Sequence, residues 1–233
     1  MRYEPELRFG TWMQRYKRFF VDVRTDAGDL LTLHCANTGA MTGCSTPGSR
    51  VAYQLSSNPA RKLAGTLELV SIGDHWIGVH PARANKLVSE AIDAGVIAAL
   101  QGWRVRRAEV RAPGSRSRFD LELTGQAGVC VVEVKSVSWV DGAGVARFPD
   151  AVSLRALRHV QELTEMACRE QHVALVFCVQ HAGAERFEPA ACVQPQYARA
   201  LRLAAAAGVE LCAYATAISV RDIALARRLP IDL

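Results

Sequence analysis

The sequence contains no apolar run that approaches the ~20 residues needed to span a membrane. Its opening stretch, MRYEPELRFGTWMQRYKRFF, is charged and aromatic and lacks the apolar core of a signal peptide. No CxxC pair occurs among the seven scattered cysteines, so a zinc site built from cysteines is not indicated. We therefore predict a cytoplasmic protein with reduced thiols and no membrane contact.

Positive charge is only mildly in excess, but it is unevenly distributed. The formal net charge is +5 over 233 residues, and the stretch WRVRRAEVRAPGSRSRF holds six arginines against one glutamate. A second cluster, QRYKRFF, interleaves cations with aromatic rings. Such clusters suit a phosphate backbone with exposed bases, but a strand edge protected by charge has the same composition. Charge alone leaves nucleic-acid binding and a plain solvated surface equally open.

The first part of the chain, residues 1–80, consists of short predicted strands. These are RFFVDVRT, LLTLHCA, VAYQLS, TLELVSI and HWIGVH, with the polar loop NTGAMTGCSTPGS after the second of them. About five strands in so small a unit favour a compact barrel.

The second part, residues 81–233, alternates helices with strands. The stretch PARANKLVSEAIDAGVIAAL has helical periodicity, and three strands follow it: WRVRRAEVRA, FDLEL and VCVVEVKSVSW. A helix (AVSLRALRHVQELTEMACRE), a buried strand (HVALVFCVQ), a helix (PQYARALRLAAAAG) and a strand (VELCAYATAIS) complete the predicted order. We predict an α/β domain with a central sheet.

One strand of this second part contains charged residues among valines. In VCVVEVKSVSW, Glu133 and Lys135 are two apart, so both side chains project from the same face. A buried charge costs several kcal/mol unless something compensates it. The pair is therefore either a structural ion pair or part of a site. Asp120, which opens the preceding strand, is the candidate third member.

This arrangement resembles the PD-(D/E)xK nuclease superfamily, in which an acidic residue precedes a (D/E)xK motif on a neighbouring strand. The resemblance implies that Asp120, Glu133 and the main-chain carbonyl of Val134 hold Mg²⁺ or Mn²⁺. Carboxylates and waters are the ligands that Mg²⁺ prefers. Lys135 would orient or deprotonate the attacking water. The alternative is a buried Glu–Lys pair with Asp120 capping a turn.

A closer resemblance runs along the whole chain. The sugar fermentation stimulation protein A family is similar in the ordered stretches QRYKRFFVDV, HCANTGAMTG, ANKLVSEAI, SRSRFDLEL, EVKSV and RFPDAVS. The resemblance implies an OB-like barrel followed by a PD-(D/E)xK nuclease-like α/β domain with a mixed sheet flanked by helices, α+β overall. It also implies nucleic-acid binding and a link to the regulation of sugar, notably maltose, metabolism.

The superfamily pattern suggests further residues in the second part. Glu90, on the first helix, fits an extra acidic metal position, although an exposed helix carboxylate would be unremarkable. Arg116 and Arg118, just before Asp120, could hold the phosphate beside the cut, or they are charges that protect a strand edge. Arg155 and His159 lie four apart on one helix, hence on one face, and could reach the same phosphate. The alternative for His159 is an ordinary surface or core histidine.

The barrel supplies a second set of candidates. Its predicted nucleic-acid-binding residues are Arg15, Tyr16, Lys17, Arg18, Phe19, Asn37, Arg61 and Lys62. Bases stack on aromatic rings in OB folds while cations follow the phosphates. Asn37 opens the NTG motif, which either contacts phosphate through backbone N–H groups or is turn chemistry packed against the second domain. Asp150 is predicted to cap the helix that begins at Ala151, rather than to bind metal.

Two functions remain in competition. The first is a divalent-metal-dependent DNA nuclease, and the alternative is a non-catalytic DNA-binding regulator on a nuclease-like scaffold. A carbohydrate binder is disfavoured, because the chain lacks a distinctive aromatic platform for sugars. Single-stranded, duplex and branched DNA are not distinguished, and a homodimer is an open alternative.

Overall fold

The structure, a computed structural model, describes residues 1–58, 60–112 and 117–233. The first part forms one sheet in the order β3-β2-β1-β4-β5-β6, and β3 also pairs with β5 through His34 and Thr66. That last pairing closes β1 to β5 into a barrel with OB-like connectivity. The strands are β1 (Arg8–Tyr16), β2 (Phe20–Thr25), β3 (Leu30–His34), β4 (Arg50–Leu55), β5 (Gly65–Ile72) and β6 (His75–Gly78).

The second part is built on a mixed sheet in the order β14-β13-β11-β9-β8-β7. The pairs β9–β11 and β11–β13 are parallel, and the outer pairs are antiparallel. A short parallel pair, β10–β12, lies apart from it. The elements are α1 (Ala82–Asp93), β7 (Arg104–Val110), β8 (Phe119–Gly125), β9 (Gly128–Val137), β10 (Val145–Phe148), α2 (Leu154–Ala167), β11 (His172–Val179), β12 (Arg186–Pro189), α3 (Pro195–Ala206), β13 (Glu210–Ile218) and β14 (Ile223–Arg228).

Helices cover both faces of this sheet and decide where each β9 side chain lies. On one face, Val132 and Val134 belong to the same apolar cluster as Leu87 of α1. On the other face, Val131 and Val137 pack with α2 and α3. Since side chains alternate along a strand, Glu133 and Lys135 lie on the α2 face.

The predicted fold class is confirmed: a small OB-like barrel precedes an α/β domain whose mixed sheet is flanked by helices. None of the described helices is long and apolar enough to cross a membrane.

The prediction for the start of α2 was wrong. The helix begins at Leu154, and its cap is Ser153, whose hydroxyl accepts the Ala156 N–H at 3.1 Å. Asp150 lies before the cap, and its carboxylate instead accepts the N–H of Met41 at 3.0 Å. Asp150 therefore joins the second part of the chain to the barrel and caps no helix.

The two parts are also joined by backbone hydrogen bonds. The Gly78 N–H donates to the carbonyl of Gln180 at 2.9 Å, which ties β6 to the segment after β11. The Tyr3 N–H donates to the Arg221 carbonyl at 3.0 Å, so the first residues pair with the second part. The division at residue 80 stays a prediction, and the structure adds that the two sides share main-chain bonds.

Candidate active site

The hairpin of β8 and β9 places Asp120 and Glu133 at the same level of the sheet. Leu121 pairs with Val132 in this antiparallel register, and Asp120 directly precedes Leu121 while Glu133 directly follows Val132. The tight turn between Gly125 and Gly128 fixes that register, because a one-residue slip would turn every side chain to the other face. Two carboxylates therefore come from neighbouring strands to one region.

Asp120 is held by two donors on its two oxygens. The Val134 N–H and the Asn85 side-chain amide each donate to it at 2.8 Å. Burial, together with the negative charge of Glu133, raises the pKa of Asp120 to about 6. The donors fix the orientation of the carboxylate, while its surroundings disfavour the charge that it carries at neutral pH.

Glu133 is buried, with 3% of its surface exposed. Its Oε1 accepts from the Lys135 ammonium and contacts His159 Nδ1 at 2.5 Å. Burial raises the pKa of Glu133, but the hydrogen bond with His159 and the Lys135 charge outweigh burial and hold the pKa below its usual value. Its Oε2 is buried without a hydrogen-bond partner among the described residues. Buried carboxylate oxygens are rarely left in this state.

A groove between the barrel and the second domain leads to Lys135. Its volume is about 490 Å³, and its lining includes Arg18, Asn37, Lys135, Trp139, Asp150 and Arg155. Lys135 is only 9% exposed, so it lies at the bottom. Val134 also lines the groove; its carbonyl as a metal ligand stays a prediction.

The structure brings together Asp120, Glu133 and Lys135, and it adds His159 in an unexpected place. His159 was predicted to face a phosphate, yet it is 2% exposed and bonds Glu133. It is buried because α2 packs against the sheet on the face from which Glu133 projects. Arg155, one turn earlier, is exposed at the groove. His159 is thus a buried partner of Glu133, and Arg155 is an exposed cation at the groove.

Glu90 is not brought to this group. Its exposed carboxylate lies 3.0 Å from the Met1 amino group and 3.9 Å from Lys86 Nζ. Glu90 lies five positions after Asn85 on α1, which turns it about 140° away from the side chain that bonds Asp120. The prediction of Glu90 as a metal ligand is not supported by this placement.

The tip between β1 and β2 presents two of the five predicted barrel cations, Lys17 and Arg18, to solvent. Lys17 and Arg18 occupy the left-handed region, with φ of 48° and 64°, and Phe19 is 44% exposed. Tyr16 stacks on Phe20 with ring centroids 5.4 Å apart. Arg15 instead points inward, where it donates to the carbonyls of Asn37 and Gly39.

The NTG motif forms a turn that packs on the second domain. The Asn37 side chain accepts the Gly39 N–H at 2.9 Å and is buried. A Cβ at Gly39 would come 2.5 Å from both Asp150 carboxylate oxygens, which explains why glycine occupies the position. Of the two interpretations of this motif, turn chemistry accounts for the contacts of Asn37.

Among the described residues, the remaining predicted cations are not part of the groove lining. Arg61 donates to Thr66 Oγ1 at 2.9 Å, and Lys62 beside it is exposed. Arg118 is exposed and lies 4.0 Å from Glu109. Arg116 falls outside the described residues.

Sequence analysis missed Asn85 and Trp139. Asn85 stands next to Ala84 in the apolar stripe of α1, and a polar residue there was the available signal. Trp139 follows Lys135 by four residues, and the sequence predicted no role for it.

The residues present fit a divalent cation with few protein ligands. Two carboxylates meet here, one with an unpartnered oxygen among the described residues and one with a raised pKa. In the described part of the chain, no three His, Cys, Asp or Glu residues are grouped as a closed metal cage. Mg²⁺ commonly uses one or two carboxylates, with waters and phosphate completing its shell.

The structure places this protein in the class of two-part proteins in which an OB-like barrel is joined to an α/β domain with a carboxylate–lysine site. Residues 13–79 match the family described as "SfsA N-terminal OB domain", and residues 82–222 match "Sugar fermentation stimulation protein RE domain". The chain belongs to the sugar fermentation stimulation protein family.

Relatives named "Sugar fermentation stimulation protein homolog" cover nearly the whole chain. The one from Geobacter metallireducens is 45% identical over 100% of both chains, and the one from Pelobacter propionicus is 44% identical over 98% of this chain and 99% of the other. A solved structure, "The structure of Pyrococcus Furiosus SfsA in complex with Ca2+", has a TM-score of 0.89 at 24% identity and covers 100% of this chain and 98% of that one. At that identity it supports the fold.

Proposed function

We propose that this protein binds DNA and hydrolyses its phosphodiester bonds with a divalent cation held by Asp120 and Glu133. The observation that carries the proposal is a pair of largely buried carboxylates whose charge the protein does not fully compensate. Glu133 Oε2 lacks a partner among the described residues, and Asp120 is held in a place that disfavours its charge. A divalent cation, Mg²⁺ or Mn²⁺, would relieve both.

The chain's residues have distinct roles in this proposal. Asn85 and the Val134 N–H orient Asp120, and His159 orients Glu133. Lys135, at the bottom of the groove, donates to the phosphate oxygens and stabilises the negative charge that develops on them. When bound, the cation polarises the phosphate and lowers the pKa of a bound water.

Two further facts support a divalent cation and a link to sugar metabolism. The Pyrococcus furiosus relative is described in complex with Ca²⁺, which is bound by oxygen ligands as Mg²⁺ is. The family name refers to sugar fermentation, and we infer that DNA binding by this chain affects genes of that metabolism.

A second candidate is a regulator that binds DNA without cutting it. The direct pairing of Lys135 with Glu133 Oε1 favours it, because a lysine engaged in this way is not free for phosphate. In that case the charged group is a structural remnant of a nuclease.

The test is cleavage of supercoiled plasmid and of single-stranded DNA with Mg²⁺, Mn²⁺ or EDTA. We expect metal-dependent cutting that falls by at least about 10²-fold in Lys135→Ala, the lower end for the loss of one donor that stabilises developing negative charge. Glu90→Gln serves as the matched control, since Glu90 lies on α1 but is ion-paired elsewhere. Binding without cutting, in every metal and on both substrates, would establish the regulator.

A further inference from the structure

We infer that the interdomain groove takes a single strand of nucleic acid, held by Arg18 of the barrel and Arg155 of the second domain and by a base stacked on Trp139. This inference rests on the proposed function and assigns its substrate class. It places the strand between the barrel and the second domain, in contact with both.

The depth of the site argues for a single strand. Glu133 is 3% exposed and Lys135 is 9% exposed, so a phosphate must descend into the groove to reach them. At about 490 Å³ the groove is the size of a pocket for a small molecule. One nucleotide fits such a space. A duplex is far wider and would rest on the barrel tip and α2 without reaching Lys135.

Two cations that line the groove, one from each part of the chain, are free to hold phosphates. Arg18 stands on the β1–β2 tip of the barrel, and Arg155 stands on the first turn of α2. Within the described part of the chain, neither guanidinium takes part in an ion pair or a hydrogen bond. Arg147, which also lines the groove, contrasts with them because Asp141 and Glu188 both bind it. Unpaired arginines suit phosphate recognition.

Trp139 supplies a surface for a base. It lines the groove on the same extended segment as Lys135, four residues further on, and it is partly exposed. Among the described residues it makes no ring-to-ring contact, whereas Phe148 beside it packs on Phe177 and Tyr197. Stacking on an aromatic side chain is available to any unpaired base but not to a base inside a duplex.

The experiment measures the affinity of the full-length protein for a labelled oligothymidine and for a blunt duplex of the same length. Both are titrated in EDTA over a series of salt concentrations. We expect the single strand to bind at least about tenfold more tightly than the duplex. Trp139→Leu should weaken that binding about tenfold, within the range measured for stacked bases, and leave the salt dependence unchanged.

The arginine variants distinguish binding in the groove from nonspecific attraction of DNA to positive surface charge. Arg18→Ala and Arg155→Ala should each weaken single-strand binding and reduce the slope of log K against log salt by about 0.7. Arg202→Ala, an exposed arginine on α3, removes the same charge and should change neither quantity. Thermal unfolding of each variant checks that it is folded.

Two results would overturn the inference. Duplex binding as tight as single-strand binding, or an Arg202→Ala effect equal to that of Arg155→Ala, would remove the groove as the binding path. If Mg²⁺-dependent plasmid cutting persists in that case, the proposed nuclease stands and only its substrate class is wrong. If neither DNA binds and none is cut, both proposals fall.

Discussion

Two buried glutamates in this protein have opposite surroundings. Glu68 of β5 is 2% exposed, and Arg83 of α1 binds both of its oxygens, at 3.0 Å and 2.7 Å. Glu133 is equally buried, but His159 and Lys135 crowd onto one oxygen, and the other has no partner among the described residues.

The difference separates a structural ion pair from a site. A bidentate arginine satisfies a carboxylate completely, which makes the Glu68–Arg83 pair a fixed joint between the barrel and α1. At Glu133 the pairing is incomplete, and a second carboxylate lies nearby. Both glutamates are buried and acidic, so burial and charge do not distinguish the structural ion pair from the site. The number of carboxylate oxygens that have a hydrogen-bond partner does distinguish them.

The largest effect on the free energy of unfolding should come from breaking the Glu68–Arg83 ion pair. Glu68→Gln keeps the shape but leaves the partly buried Arg83 without a counter-charge, so we expect a loss of about 3 kcal/mol in the free energy of unfolding. Urea denaturation measures it as a lower midpoint with an unchanged slope. Glu165→Gln, at an exposed position on α2, is the control. A loss no larger than that of the control would show that the pair is not structural.

Adding a divalent cation should stabilise the wild-type protein by nearly as much. At a concentration about 100 times the Kd, binding to the folded state alone adds about 2.7 kcal/mol. The same gain should persist in Glu68→Gln and should be largely absent in Asp120→Asn. Thermal unfolding with and without Mg²⁺ or Mn²⁺ at neutral pH measures it. An equal gain in Asp120→Asn would place the cation elsewhere.

A smaller effect of opposite sign to that of Glu68→Gln is expected for Asp120→Asn in EDTA. The pKa of Asp120 is raised from 3.8 to about 6, so the folded state is penalised once the carboxylate ionises. The penalty is absent below about pH 4, grows as the pH rises, and is complete above about pH 6, at about 3 kcal/mol. Asparagine avoids it but loses about 1 kcal/mol of hydrogen bonding to the two donors.

Asp120→Asn should therefore be about 2 kcal/mol more stable than wild type at pH 8 and about 1 kcal/mol less stable at pH 4. Urea denaturation across that pH range would reveal the crossing. A stability difference that does not change with pH would mean that Asp120 ionises normally in the folded protein.

The smallest effect is expected for Glu90→Gln. Glu90 is an exposed ion-pair residue, and such pairs contribute about 0–1 kcal/mol. We also expect the stabilisation by a divalent cation to be unchanged. If the divalent cation no longer stabilised Glu90→Gln, Glu90 would have to be a ligand of the metal.

Much of the fold could be predicted because its signals are local. The apolar residues of α1 follow helical spacing, and β9 and β11 are long apolar runs. The strands β1, β10, β12 and β14 were missed for different reasons. Gly10 weakens the strand signal of β1, yet β1 requires it, because a Cβ there would come 2.6 Å from the Arg24 carbonyl oxygen. β10 and β12 have four residues each and exist through their mutual pairing, which local periodicity does not contain.

The candidate site, like the fold, could be predicted from the sequence only in part. Asp120, Glu133 and Lys135 were found because charges in an apolar strand are visible in one segment of sequence. The partner of each was not visible. That Asn85 bonds Asp120, and that His159 turns inward to Glu133, depends on how α1 and α2 pack on the sheet.

The hydrogen bonds between the two parts of the chain limit how the two domains can be recombined in evolution. Gly78 and Tyr3 of the first part donate main-chain bonds to Gln180 and Arg221 of the second. A Cβ on Gly78 would come 2.5 Å from the Gln180 side chain, so this contact also demands a particular residue. A barrel from another protein could not simply replace this one, because its last strand would have to match that edge. The barrel and its neighbour are therefore expected to be passed on together, as one inseparable unit.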